Sequence, residues 1–233
     1  ARERVHKWKW RTFSAGKSLQ ENVDFSHRDD EARGRIHVKL RDVAEAHAKP
    51  GARVLDIGAG TGLGASQLAD RWRITGIDIS PALTEAARKA VPAAEFIVGN
   101  ILETKIEPGF EFVYSISAIE YIPPGQLHRF FGKVAELLAE GGTFFLQYPH
   151  AVRRLDLWYP DLNYVKYSPR VMDTAAAIFF EKLEHHHSFH PEKVVDHFDR
   201  DPFPSDSFVN GYLYVGKKLA HLHRPCSPPA CNR

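Results

Sequence analysis

The sequence predicts an α/β fold: a doubly wound, mostly parallel sheet with helices on both faces and an antiparallel terminal strand. Short β-branched or aromatic runs alternate with longer segments of helical period. The runs are apolar almost without interruption, as strands covered on both faces must be. A turn with glycines at alternate positions follows the first run and points to a ligand that approaches the backbone closely.

Taken in order, residues 33–47 place Ile36, Leu40, Val43, Ala44 and His47 on one stripe and stop before Pro50-Gly51, which predicts a helix. The first strand is 53–57 (RVLDI), and the turn that follows it should open onto a helix. After the strand 73–79, Ser80 is a good N-cap, with Pro81 in the first turn and Leu83, Ala87 and Ala90 on one face. Strands follow at 95–98, 111–116 and 143–148. Before the last of them, Leu127, Phe130, Phe131, Val134, Leu137 and Leu138 mark a helix within 126–140. Pro123-Pro124-Gly125 precedes it and Gly141-Gly142 ends it. Residues 171–184 read as an amphipathic helix through Val171, Ala175, Phe179 and Leu183, and 191–198 as a further short helix. Asn210-Gly211 between apolar runs is a hairpin signal, so the sheet should end antiparallel.

A chain of 233 residues, 43% hydrophobic and 26% charged, fits one α/β domain with a proper core. A formal net charge of +2 leaves no electrostatic footprint for nucleic acid. The two cysteines, Cys226 and Cys231, both lie in the tail "HRPCSPPACNR", so the core needs no oxidising compartment. Their spacing allows a metal or a small loop, and an ordinary mobile tail is the expectation. No run approaches the roughly 20 apolar residues of a membrane span, and "ARERVHKWKWRTF" lacks the apolar segment of a signal peptide. A cytoplasmic protein is expected.

The turn itself is "VLDIGAGTGLGA". A strand-to-helix turn with positive φ, followed by unpaired helix N–H groups, favours an anion such as a phosphate or carboxylate. Gly60 to Ala65 formally satisfies G-x-G-x-x-A, and Asp78 ends the next strand where a ribose partner would sit, so a nicotinamide dinucleotide is one reading. Asp56, two residues before Gly58, points the other way. A carboxylate beside the turn repels a pyrophosphate and suits a ligand carrying an ammonium or sulfonium. Gly99-Asn100 after the third strand offers an amide for an adenine edge, and the fourth strand runs into "SISAIEYIPP".

Over roughly residues 30–219, these motifs together resemble the class I S-adenosylmethionine-dependent methyltransferases. "VLDIGAGTG" is similar to the family's glycine motif and "ITGIDIS" to its ribose-binding strand end. "FIVGNIL" is similar to its adenine-side motif, and "EFVYSISAIEYIP" to the segment after its fourth strand.

The resemblance implies a Rossmann-like, seven-stranded sheet and S-adenosylmethionine as cofactor, with S-adenosylhomocysteine as product. It implies that Gly58, Ala59, Gly60 and Gly62 line the methionine and ribose part. Asp56 would lie under the methionyl amino group, and the Ser115 carbonyl would meet that amino group too. Asp78 would take both ribose hydroxyls, Ile79 would lie on one adenine face, and Asn100 and Ile101 would meet the adenine edge and other face. Two departures stand out: the family more often has Asp at the position of Asn100, and its frequent His is Tyr121 here.

Domain organisation follows: an N-terminal arm (1–30), the methyltransferase domain (31–219) with an insertion (149–190) over the acceptor site, and a tail (220–233). Methyl transfer from a sulfonium is a displacement that depends on alignment, and a hydroxyl or ammonium acceptor also needs a base. His150, Tyr121 and His186 are the candidates for base or acceptor contact. The run "EHHHSFH" also invites a metal reading, but adjacent helical side chains diverge, so a solvated helix end is expected and no metal.

The segment after strand four lacks the N/D-P-P-Y/F/W element that base-flipping relatives use, which speaks against nucleic acid. The expected activity is O- or N-methylation of a small-molecule acceptor in secondary metabolism, by a monomer or homodimer. An NAD(P)-dependent oxidoreductase and a non-catalytic cofactor-binding protein are the alternatives.

Overall fold

The protein's structure is a computed structural model that describes residues 30–149, 167–188 and 211–220. The described chain begins with α1 (Asp30–His47), β1 (Arg53–Ile57), α2 (Leu63–Ser66), β2 (Arg73–Asp78), α3 (Pro81–Ala90) and β3 (Glu95–Val98). It continues with β4 (Phe110–Ile116), two 3₁₀ turns (Ile119–Tyr121 and Pro124–Gln126), α4 (Leu127–Leu137) and β5 (Leu138–Pro149). Last come α5 (Pro169–Ala176), β6 (Phe180–His187) and β7 (Gly211–Lys218).

The seven strands form one sheet in the order β3-β2-β1-β4-β5-β7-β6. β1 to β5 pair in parallel, and β7, the last of the described strands, runs antiparallel between β5 and β6. The order reverses at β1, between β2 and β4. Ligands of open α/β sheets bind at such a switch point, outside the carboxyl ends of the strands.

Alternating side chains of each strand feed two cores, one per sheet face. One face packs Leu55, Ile57, Val113, Phe144 and Leu146 against Phe130, Phe131 and Val134 of α4 and Met172 of α5. The other packs Val54, Phe112, Tyr114 and Phe145 against Leu40 and Val43 of α1, Ala65 of α2 and Ala87 of α3. Helices on both faces and the antiparallel last strand agree with the expected fold class. α3 also starts as expected: Ser80 caps it by accepting from the Leu83 N–H at 3.3 Å, with Pro81 in the first turn.

Several expectations are corrected. The helix after the glycine turn spans only Leu63–Ser66, so it brings little macrodipole to the site. α4 stops at Leu137 because Leu138 is already extended and pairs with Phe110 in the sheet. The amphipathic helix expected over 171–184 ends at Ala176, and 180–187 is an edge strand. The histidines of "EHHH" therefore stand on alternating faces of β6, not on a solvated helix end. Gly211 opens β7 beside β5 and β6, while Asn210 lies outside the described residues. Also outside them are residues 1–29 of the arm, residues 221–233 of the tail with its cysteines, the helix at 191–198, and 150–166 and 189–190 of the insertion. No described helix is long and apolar enough to cross a membrane.

Candidate functional site at the switch point

The turn after β1 is held by its neighbour strand. The N–H groups of Gly58 and Ala59 both donate to the Ile77 carbonyl, at 2.8 and 3.1 Å. Gly58, Gly60 and Gly62 all have positive φ (77°, 54° and 84°), the region in which a Cβ is strained. Their surroundings differ. A Cβ at Gly58 would fall 2.4 Å from the Ala118 Cβ, and one at Gly62 would press on Ala87 and Val91. A Cβ at Gly60 would meet nothing within 4 Å. Gly58 and Gly62 thus serve packing, and Gly60 forms the floor of open space.

Asp78, the last residue of β2, faces that floor. Its Oδ2 accepts from the Gly60 N–H at 2.9 Å, and its Oδ1 accepts from the Ser80 N–H at 2.8 Å. Burial raises its pKa, and the backbone donors oppose that rise. Each carboxylate oxygen keeps acceptor capacity beyond these bonds. Ile79 follows directly, half-buried.

Asp56 lies under the turn, 3% exposed, and accepts from the Tyr114 hydroxyl at 2.8 Å. Burial pushes its pKa up to about 7, the Tyr114 hydrogen bond works against the rise, and the charge of Asp78 adds to it. Such a carboxylate has good reason to meet a cation.

Asn100 stands after β3, where its Oδ1 accepts from the Leu102 N–H at 3.0 Å, leaving the amide NH₂ as donor. Ile101 beside it is buried. Ser115 donates its hydroxyl to the Ile57 carbonyl at 3.0 Å and clamps the ends of β1 and β4 together. The expected cofactor residues therefore gather at the carboxyl ends of β1 to β4.

The base candidates disperse. Tyr121 closes the 3₁₀ turn after β4, and burial, Glu120 and Asp78 all raise its pKa. His150 lies outside the described residues. His186 is carried away to the edge strand β6, where its Nδ1 bonds the His187 carbonyl at 2.9 Å and its Nε2 meets Glu184 at 3.2 Å. Glu184 is in turn paired with Lys39 of α1 at 2.8 Å, so His186 belongs to a structural network. Among the described residues no group of three or more His, Cys, Asp or Glu is placed to hold a metal.

Two further residues, unmarked in the sequence, shape the site. Ser117 has φ 49°, the only positive value outside glycine among the described residues, and donates its hydroxyl to Gln147 Oε1 at 2.9 Å. This turn swings the chain from β4 back over Gly58. Glu120, three residues on, is 2% exposed, and its Oε2 has no hydrogen-bond partner. Nothing local in "SISAIEYIPP" marks it, because its burial is tertiary.

Residues 54–142 match the family model described as "Methyltransferase domain". That span contains the glycine turn, Asp78, Asn100 and the segment after β4. This segment of the chain is similar to the methyltransferase domains of that family. The domain is similar to the trans-aconitate 2-methyltransferase of Enterobacter sp. (strain 638), 33% identical over 102 residues, which are 42% of this chain and 40% of that protein. The chain thus spans less than half the length of such relatives.

Among solved structures, a sarcosine dimethylglycine methyltransferase of Galdieria sulphuraria, itself described as putative, superposes with TM-score 0.65 at 16% identity, covering 82% of this chain and 88% of that one. The N-methyltransferase NodS of Bradyrhizobium japonicum WM9, in complex with S-adenosylhomocysteine, gives 0.64 at 15% identity, covering 80% and 87%. At these identities the superpositions establish the methyltransferase fold.

Proposed function

We propose that this methyltransferase moves the methyl group of S-adenosylmethionine to an oxygen or nitrogen of a small-molecule acceptor of secondary metabolism. The observation that carries the reading is the pairing of Asp78 with Gly60: a half-buried carboxylate beside the one glycine of the turn with open space above it. In this reading the Asp78 oxygens take the ribose hydroxyls, and the Asn100 NH₂ donates to a ring nitrogen of the adenine. Asn suits that contact as the family's more usual Asp does not, since a carboxylate accepts only. Asp56 compensates the methionyl ammonium from below.

The bound cofactor supplies an electrophilic methyl group on a sulfonium. The chain's own residues hold it at the switch point, leaving the segment Ser117–Tyr121 and the residues around Tyr167 to form the acceptor side. Alignment in such a cleft can supply about 7–11 kcal/mol of barrier reduction.

Calorimetric titration with S-adenosylhomocysteine tests the reading. Binding that is weakened at least about tenfold, ~1.4 kcal/mol, by Asp78→Ala supports it. A thermal shift with NAD and none with S-adenosylhomocysteine would sink it.

A further inference from the structure

Glu120 is a buried carboxylate in the 3₁₀ turn after β4. It is 2% exposed, with Oε2 unsatisfied. Burial holds its pKa up at about 8. A carboxylate with one oxygen stranded in such a place is costly unless something that binds there compensates it.

Its position is on the reaction side of the site. Ala118, two residues before it, covers Gly58 of the cofactor turn. The charge of Glu120 reaches the phenols of both Tyr121 and Tyr167, and that of Asp78 reaches Tyr121 as well. Tyr167 is fixed by donating its hydroxyl to the Ile122 carbonyl, just past the same 3₁₀ turn. A buried carboxylate with an unsatisfied oxygen, whose charge is felt by two tyrosines, is a site for a cation, and tyrosine rings can add to the attraction for an ammonium.

Resting on the methyltransferase reading above, we propose that the acceptor is an amine, bound as its ammonium by Glu120 near Tyr121 and Tyr167, and that Glu120 is the base that deprotonates it. The ammonium gives one proton to the carboxylate, leaving a neutral amine and a carboxylic acid. The nitrogen lone pair then forms the N–CH₃ bond as the S–CH₃ bond breaks, and that electron pair goes to sulfur. The product leaves as a methylated ammonium, or as an amine once its proton is lost to solvent. A carboxylate acceptor needs no base and would be repelled by Glu120, and a hydroxyl brings no charge to compensate it.

The test uses the full chain loaded with S-adenosylhomocysteine and three matched probes: 2-phenylethylamine, 2-phenylethanol and phenylacetate. Calorimetry should show the amine binding at least about tenfold tighter than the alcohol, with phenylacetate weakest. Glu120→Gln should remove that preference, keep S-adenosylhomocysteine affinity within about twofold, and melt no lower than the parent. Glu120→Met, apolar and of similar length, serves if the amide variant fails to fold.

With S-adenosylmethionine, methylation of the amine should rise with pH as the carboxylate ionises, and Glu120→Gln should lose both rate and that rise. No preference for the amine, a preference that survives both substitutions, or no binding of any probe would overturn the inference. Absence of S-adenosylhomocysteine binding in the unmodified chain would instead overturn the methyltransferase reading beneath it.

Discussion

The Tyr114 hydroxyl donates to Asp56 Oδ2 at 2.8 Å, joining β4 to β1 through side chains 58 residues apart in sequence. Both groups are buried, and this is the hydrogen bond that makes a carboxylate under the glycine turn tolerable. Tyr114→Phe removes the donor and keeps the ring. We expect a loss of about 1–3 kcal/mol in urea denaturation, the desolvation cost of a stranded buried acceptor. It should also raise the Asp56 pKa beyond its present value of about 7. Unchanged stability in Tyr114→Phe would mean that the bond carries nothing.

The glycines of the turn separate by function in a pair of substitutions. Gly58→Ala meets the Ala118 Cβ at 2.4 Å and sits at φ 77°. It should lower the melting temperature sharply, and Ala118→Gly should recover part of the loss. Gly60→Ala at φ 54° meets nothing and costs only its conformation, ~1–2 kcal/mol. It should nonetheless weaken S-adenosylhomocysteine binding, because its methyl group occupies the floor of the site. If both variants lose stability and affinity in the same proportion, the two glycines have no separate roles.

How far the sequence carries can be seen at particular positions. The apolar runs 53–57 and 111–116 fall on β1 and β4 within a residue, because strands buried on both faces have no alternative composition. β6 is the opposite case. An edge strand with one partner and mostly half-exposed side chains carries no such run. Val171, Ala175, Phe179 and Leu183 kept a helical spacing straight across the break at 177–179. The helix after the glycine turn follows from fold logic, and no residue after Ser66 marks that it lasts only one turn. Asp56, Asp78 and Asn100 were legible because each stands at a strand end. Glu120 was not, since a charged residue in a loop looks solvated until the fold closes over it.

Glu120 and Asp56 give stability a pH dependence of definite sign. Both carboxyls are held above their ordinary values by burial, Glu120 to about 8 and Asp56 to about 7. The folded chain therefore binds these protons more tightly than the unfolded one. Their contribution is complete below about pH 4 and is lost as pH rises through 7 and 8. Glu120→Gln should gain stability relative to the parent steadily from about pH 5 to 8 and no further beyond that. Melting curves across that range measure it. A difference that stays flat would show that Glu120 ionises freely.

His185 gives the opposite slope. Its Nδ1 meets Asp173 of α5 at 2.8 Å and its Nε2 meets the Tyr148 hydroxyl of β5 at 2.8 Å, so the ring ties a helix to the sheet. The Asp173 carboxylate accepts from Nδ1–H, which leaves Nε2 to accept from the Tyr148 hydroxyl, an arrangement that suits the neutral ring. Burial lowers the His185 pKa, against the opposing charge of Asp173. The folded state thus resists a proton that the unfolded chain takes near pH 6.5, and stability is lost as pH falls through that value. His185→Gln can donate to Asp173 and accept from Tyr148 without titrating. Its melting temperature should lie below the parent's at pH 8 and approach it as pH falls to 5. A gap of constant size over that range would show that the imidazole has no part in the acid response.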